Sequence, residues 1–133
     1  MHTEHDKFDA FAAAAAALTK SGTSTLELAM AGVPMLVAYR VNPLSASIAR
    51  HLVTVSYASI LNLIAGHQIV PELLQERCTS EGLAAALLPL LQDAQAASAQ
   101  REASQAVLTQ LAPPNGSPSQ AAAAEVLGLL DQA

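Results

Sequence analysis

Ser21-Gly22-Thr23-Ser24-Thr25-Leu26-Glu27-Leu28-Ala29-Met30-Ala31-Gly32-Val33-Pro34 reads as the end of a buried strand, a turn of small residues, a short helix, a glycine stop and the start of a second strand. Ser21, Gly22 and Thr23 let the backbone bend sharply and leave free N–H groups and hydroxyls at a helix start. Unpaired amides and the positive end of the helix dipole converge there, a combination that suits an anion. Gly32 supplies the left-handed residue that closes a helix, and Pro34 prevents its continuation. Ser24-Thr25-Leu26-Glu27 also fits the S-x-x-E capping box, in which Glu27 folds back onto the start of its own helix. A second reading turns Glu27 outward to accept two vicinal hydroxyls of a ribose, beside phosphates held by Ser21 to Thr23. The local pattern leaves both readings open.

Upstream, Lys7 to Ala14 is alanine-rich with good helix propensity, and Ala16 to Lys20 is expected to be the strand that feeds the turn. Downstream, Pro34-Met35-Leu36-Val37-Ala38-Tyr39 is continuously apolar, as suits a parallel strand covered on both faces. Strand, short helix and strand at this spacing make a right-handed βαβ unit, hence an α/β domain. Leu44 to Val53 is expected to be a surface helix with Leu44, Ile48 and Leu52 on one side, rimmed by Arg40, Arg50 and His51. An apolar face so rimmed also suits an anionic membrane surface. Val55 to Ile64 reads as a third strand, and Pro71 as the first residue of a helix that sets Glu72 and Gln75 on one face.

From Thr79 the pattern changes. Thr79 or Ser80 can cap a helix running towards Leu111, which buries Leu83, Leu87, Leu88 and Leu91 and is kinked or divided by Pro89. Asp93 to Gln105 is rich in Ala, Gln and Ser and should be poorly anchored. Pro113-Pro114-Asn115-Gly116 is a break, and Ser117-Pro118-Ser119-Gln120 opens a final helix with an S-x-x-Q cap. That helix has Val126, Leu127, Leu129 and Leu130 to bury, on the body of the domain or on another chain. The expected organisation is therefore one α/β domain over 1–112, a linker over 113–118 and a C-terminal helix over 119–133.

Composition narrows the function. A chain of 133 residues suffices for one domain with a real core, but the 52% of hydrophobic residues include only two Phe, two Tyr and no Trp. Net charge is −5, and the chain carries neither a basic stripe nor a set of stacking aromatics, so nucleic acid is not an expected partner. The lone Cys78 excludes an internal disulfide and fits a reducing compartment. The longest apolar run, Ala10 to Leu18, is about half of the ~20 residues a spanning helix needs. His2, His5, His51 and His67 are scattered, so neither a metal nor a cofactor is expected. No nucleophile elbow, Walker loop or G-x-G-x-x-G occurs. Binding chemistry remains: the phosphate-holding turn, Glu27 one helical turn on, and a later set of Asn62, Glu72 and Gln75. At the carboxyl ends of parallel strands these would share one crevice. Taken singly, Asn62 also fits a strand-end turn, and Glu72 and Gln75 a solvated helix start.

Together, Lys7-Phe8-Asp9-Ala10-Phe11, Ser21-Gly22-Thr23 with Leu26-Glu27, Gly32 to Met35, Tyr39-Arg40, Asn42-Pro43, Tyr57 to Ser59, Asn62-Leu63 and Val70-Pro71-Glu72-Leu73-Leu74-Gln75 form a more specific pattern. This sequence resembles the C-terminal half of the lipid-A-disaccharide synthases, inverting glycosyltransferases of the GT-B type. The resemblance is dense over residues 7–92 and loose in the tail. It implies a Rossmann-like parallel sheet with flanking helices and a helical C-terminal tail. It also implies that this half binds the UDP part of UDP-2,3-diacylglucosamine. Ser21, Gly22 and Thr23 would face the diphosphate and Glu27 the ribose, with Asn62, Glu72, Gln75 and Arg40 lining the donor pocket.

The family transfers the glucosaminyl unit to 2,3-diacylglucosamine 1-phosphate, making the disaccharide of lipid A and releasing UDP without an obligatory metal. Its members work in the cytoplasm, associate with the inner membrane, and exchange C-terminal segments between subunits, which implies a homodimer. The resemblance further implies that the catalytic base lies in an N-terminal half outside this chain, so the chain alone should be inactive. Another UDP-sugar transferase, or an α/β interaction module without catalysis, is the alternative expectation. Two departures from the family pattern stand out: Ala15 in place of an acidic residue, and Lys20 in place of a small one.

Overall fold

The apolar run after Gly32 becomes the centre of the sheet. A computed structural model describes residues 4–40, 57–113 and 116–130. Helix α1 (Glu4–Ala13) leads to strand β1 (Ala17–Thr19), and the turn at Ser21-Gly22 opens α2 (Thr23–Met30). Strand β2 (Met35–Tyr39) follows, then α3 (Ile60–Ala65), β3 (Glu72–Leu74) and a 3-10 turn over Gln75–Arg77. Three helices complete the chain: α4 (Ser80–Gln92), α5 (Ala94–Leu111) and α6 (Pro118–Leu130). The strands form a parallel sheet in the order β1-β2-β3, with Thr19 beside Val37 and Val37 beside Glu72. The fold is the expected α/β class, a small Rossmann-like sheet flanked by helices and ending in a helical tail.

Met35, Leu36 and Val37 in the central strand are fully buried, as a run covered on both faces must be. Burial of each such side chain contributes roughly 1.5–3 kcal/mol. On the face of Met35 and Val37 lies the main core, with Leu28 and Ala29 from α2, Leu61 from α3, Val70, and Val107 from α5. On the opposite pleat, Leu73 of β3 lies against α4, close to Gly82. The predicted residues Ala16 to Lys20 and Pro34 to Tyr39 do form β1 and β2, and Gly32 closes α2 at φ 69°.

Four expectations fail on described residues, the simplest being the buried side of the helix after Thr79, where Leu88 and Leu91 are exposed and Leu90 is buried instead. Tyr57 to Ile64 is not strand: Ser59 caps α3 by accepting from the Leu61 amide, and Gly66 ends that helix at φ 72°. An apolar run of this length does not separate strand from buried helix, and the two caps settle it. Pro71 opens no helix either. Its carbonyl accepts from the Val37 amide and leads into β3, so Glu72 and Gln75 share no helix face. Strand pairing beside β2 overrides the helix-start signal. A further correction concerns Asp93 to Gln105, which is firmly anchored. Ala97, Gln100, Ser104 and Val107 form a buried stripe on α5. The Gln100 amide grips the Met35 backbone at both ends, accepting from its N–H at 2.6 Å and donating to its carbonyl at 3.1 Å. Small side chains let α5 approach closely enough for that contact.

The long helix expected from Thr79 to Leu111 is indeed divided, but at Asp93 instead of Pro89. Asp93 ends α4 and caps α5, its carboxylate accepting from the amides of Gln95 (2.8 Å) and Ala96 (3.3 Å). The S-x-x-Q cap of α6 forms as read: Gln120 accepts from the Ser117 amide at 2.8 Å, and the Ser117 hydroxyl accepts from the Gln120 amide at 3.3 Å. The expected helix over 44–53 lies outside the described residues.

Candidate functional site

The three strands end on one side of the sheet. The turn after β1, Arg40 after β2 and Gln75 after β3 therefore meet at the carboxyl edge, where open α/β sheets bind ligands. Gly22 is the N-cap of α2 at φ 142° and ψ −165°, and no described side chain caps the helix. Among the described residues, no atom lies within 4 Å of where a Cβ on Gly22 would stand. The turn thus needs glycine for its backbone angle, and the side a Cβ would occupy faces open space.

That space is a largely apolar cavity of about 330 Å³ lined by Ser21, Gly22, Thr23, Leu26, Ala58, Ile60 and Leu63. One wall is the small-residue turn and the other is α3, whose Ile60 and Leu63 are part-exposed. The Ser21 hydroxyl donates to the Ala58 carbonyl and bridges the two walls. Thr25 donates at 2.7 Å to the Gly22 carbonyl and tightens the turn from behind.

Glu27 does not form a capping box. Its Oε1 lies 2.9 Å from Lys7 Nζ, joining α2 to α1, with both side chains about a third exposed. Glu27 stands one helical turn after Thr23 but is not among the residues that line the cavity. Nothing periodic in the sequence links Lys7 to Glu27, so the pair could not be read in advance.

Asn62 and Glu72 are brought together, but behind the cavity wall. The Glu72 carboxylate accepts from the Ala58 and Ser59 amides, each at 2.8 Å, and from Asn62 Nδ2 at 2.7 Å. Asn62 is fully buried: Nδ2 also donates to the Val70 carbonyl, and Oδ1 accepts from the amides of Ile69 and Val70. All four hydrogen-bonding positions of that amide are filled within the protein. The network therefore fixes the Ala58-Ser59 backbone, one wall of the cavity. Gln75 opens the 3-10 turn at φ 51°, an uncommon conformation for a residue with a side chain. Arg40 and Lys20 are exposed, so Lys20 stands beside the turn without crowding it, and Ala15 is exposed as well.

A second, apolar cavity of about 440 Å³ lies between α2 and the end of α5, lined by Leu26, Met30, Gln105, Leu108, Leu111 and Ala112. Among the described residues there is no cluster of His, Cys, Asp and Glu able to hold a metal. No described helix is long and apolar enough to cross a membrane.

A family model described as Lipid-A-disaccharide synthetase matches residues 1–126. Among curated proteins named lipid-A-disaccharide synthase, that of Gluconobacter oxydans is 58% identical over 128 residues, covering 96% of this chain and 31% of that protein. That of Granulibacter bethesdensis is 54% identical over 138 residues, covering 96% and 35%, respectively. That of Rhodopseudomonas palustris is 47% identical over 130 residues, covering 98% and 33%. This chain spans about a third of the length of the curated relatives it matches. A match that runs through almost all of the chain, at identities of 47% to 58%, shows that it belongs to the lipid-A-disaccharide synthetase family.

Proposed function

We propose that this chain is the donor-binding part of a lipid-A-disaccharide synthase, and that the cavity at Ser21-Gly22-Thr23 receives the diphosphate of UDP-2,3-diacylglucosamine. The observation that carries the reading is the glycine turn at the start of α2, which lines that cavity at the carboxyl edge of the sheet. Amides fixed in place before a ligand arrives need no reorganisation as negative charge builds on a leaving diphosphate. In the reaction, the 2,3-diacylglucosamine unit passes with inversion to the hydroxyl of 2,3-diacylglucosamine 1-phosphate. The bond from the sugar to UDP breaks, and UDP leaves with the electron pair. Glu27 accepts the ribose hydroxyls, while Arg40 and Gln75 flank the donor from the ends of β2 and β3. Asn62 and Glu72 shape the pocket by holding Ala58 and Ser59.

The base that takes the acceptor proton belongs to a portion of the enzyme outside this chain, so we expect the chain alone to bind nucleotide without turning it over. In the whole enzyme, acting at the cytoplasmic face of the inner membrane, α6 packs on a second copy. Support comes from the exposure of Val126, Leu127 and Leu129.

Titrating UDP into isotope-labelled chain while following amide shifts tests the donor site. Shifts concentrated over Ser21–Glu27 and Ala58 are expected; a titration that leaves those amides unmoved overturns the reading. Radiolabelled UDP-sugars offered to the full-length enzyme then identify the transferred sugar.

A further inference from the structure

The sequence allows Glu27 two roles near the start of α2, and the N-cap at Gly22 removes one of them. A glutamate three residues after a serine ordinarily folds back to cap its own helix. Here the cap residue is Gly22, which places Glu27 beyond the N3 position a capping box needs, and its carboxylate meets Lys7 from a different element through Oε1 at 2.9 Å. Lys7 is itself held: its Nζ sits 5.0 Å from the centroid of the neighbouring Phe8 ring, and Phe8 packs edge-on against Phe11 at 6.0 Å. The cation therefore approaches from an organised corner of α1. No described group hydrogen-bonds Oε2, and the Glu27 side chain is 33% exposed. A carboxylate with one oxygen pinned by a cation and the other open to solvent is fixed in orientation yet still able to accept hydrogen bonds.

We propose that Lys7 is the positioning residue for Glu27: it holds Oε1 and so orients the carboxylate to offer Oε2 to the vicinal hydroxyls of a ribose. This rests on the donor-site reading above. Lys7 acts through Glu27, so its contribution appears only with ligands that carry those hydroxyls. A cation acting on the diphosphate at long range would instead assist any nucleoside diphosphate equally.

Calorimetric titration of the chain with UDP and with 2′,3′-dideoxyuridine diphosphate, at fixed salt, separates these cases. K7M is expected to weaken UDP by about fivefold, the scale a part-exposed ion pair supplies, and to leave the dideoxy ligand within about twofold of the unchanged chain. K7R restores UDP binding, and K7M placed on E27Q adds no further loss. Lys7 is 37% exposed, so the variants fold, as unfolding midpoints will verify; K7Q, neutral but polar at its tip, serves as a second variant. Equal weakening of both ligands by K7M, or a loss for E27Q with none for K7M, overturns the positioning role while leaving the donor site intact. If the unchanged chain binds no UDP, or E27Q binds it unaltered, the ribose-binding reading fails and this inference fails with it.

Discussion

Gly22 and Asn62 show how differently single residues serve this site. At φ 142° Gly22 holds a backbone conformation that side chains rarely adopt, although there is open space beside it. We expect Gly22→Ala to lower stability by about 1–3 kcal/mol in denaturant unfolding, from backbone strain alone. An unchanged midpoint would show that the turn relaxes. Asn62 is buried and fully hydrogen-bonded, so Asn62→Ala leaves Val70, Ile69 and Glu72 short of partners. Each buried group left unsatisfied costs about 1–3 kcal/mol, and the variant should unfold at markedly lower denaturant. Its amides at 58 and 59 should also exchange faster with solvent. The sequence showed that Gly22 has to bend the chain; it could not show that Asn62 faces inward, because a polar residue near a strand end reads the same whether water or protein completes its bonds.

Among elements, α5 departs furthest from its composition. An Ala/Gln/Ser-rich helix has little apolar surface with which to dock, yet Gln100 completes both bonds of the Met35 backbone. Gln100→Leu keeps comparable volume and removes both bonds. We expect it to destabilise the chain by at least about 2 kcal/mol, and protection at the Met35 amide in hydrogen exchange should drop. The cap at Asp93 is exposed and local: Asp93→Ala should cost about 0.5–2 kcal/mol, with fraying at the start of α5 visible as lost helicity. Comparing the two variants distinguishes a helix held by its termini from one held by its face.

At the scale of the molecule, α6 stands apart. Val126, Leu127 and Leu129 are more than half exposed, and among the described residues α6 contributes nothing to the core cluster. Removing residues 113–133 should therefore leave the unfolding free energy within about 0.5 kcal/mol of the intact chain. The same truncation should abolish any dimer seen by sedimentation at micromolar concentration, since the exposed face is what a second copy would cover. A dimer that survives truncation would place the interface elsewhere, with the apolar cavity between α2 and α5 the first surface to test by substitution at Met30.

What the sequence determined by itself was local and periodic. The βαβ unit around Ser21 to Pro34, the buried central strand, a cap at Thr79 or Ser80 (the structure uses Thr79) and the cap at Ser117 depend on turn residues and apolar runs a few positions apart. Tertiary structure decided the rest: that Glu72 lies in a strand, that Tyr57 to Ile64 turns into a capped helix, and that Glu27 pairs with Lys7. The strand at Glu72 and the Glu27–Lys7 pair depend on partners ten or more residues away, whereas α3 is set by caps at Ser59 and Gly66 that the apolar run between them hid. Propensity along the chain is weaker than that demand, so short polar segments reveal their state only once the sheet has brought their partners alongside.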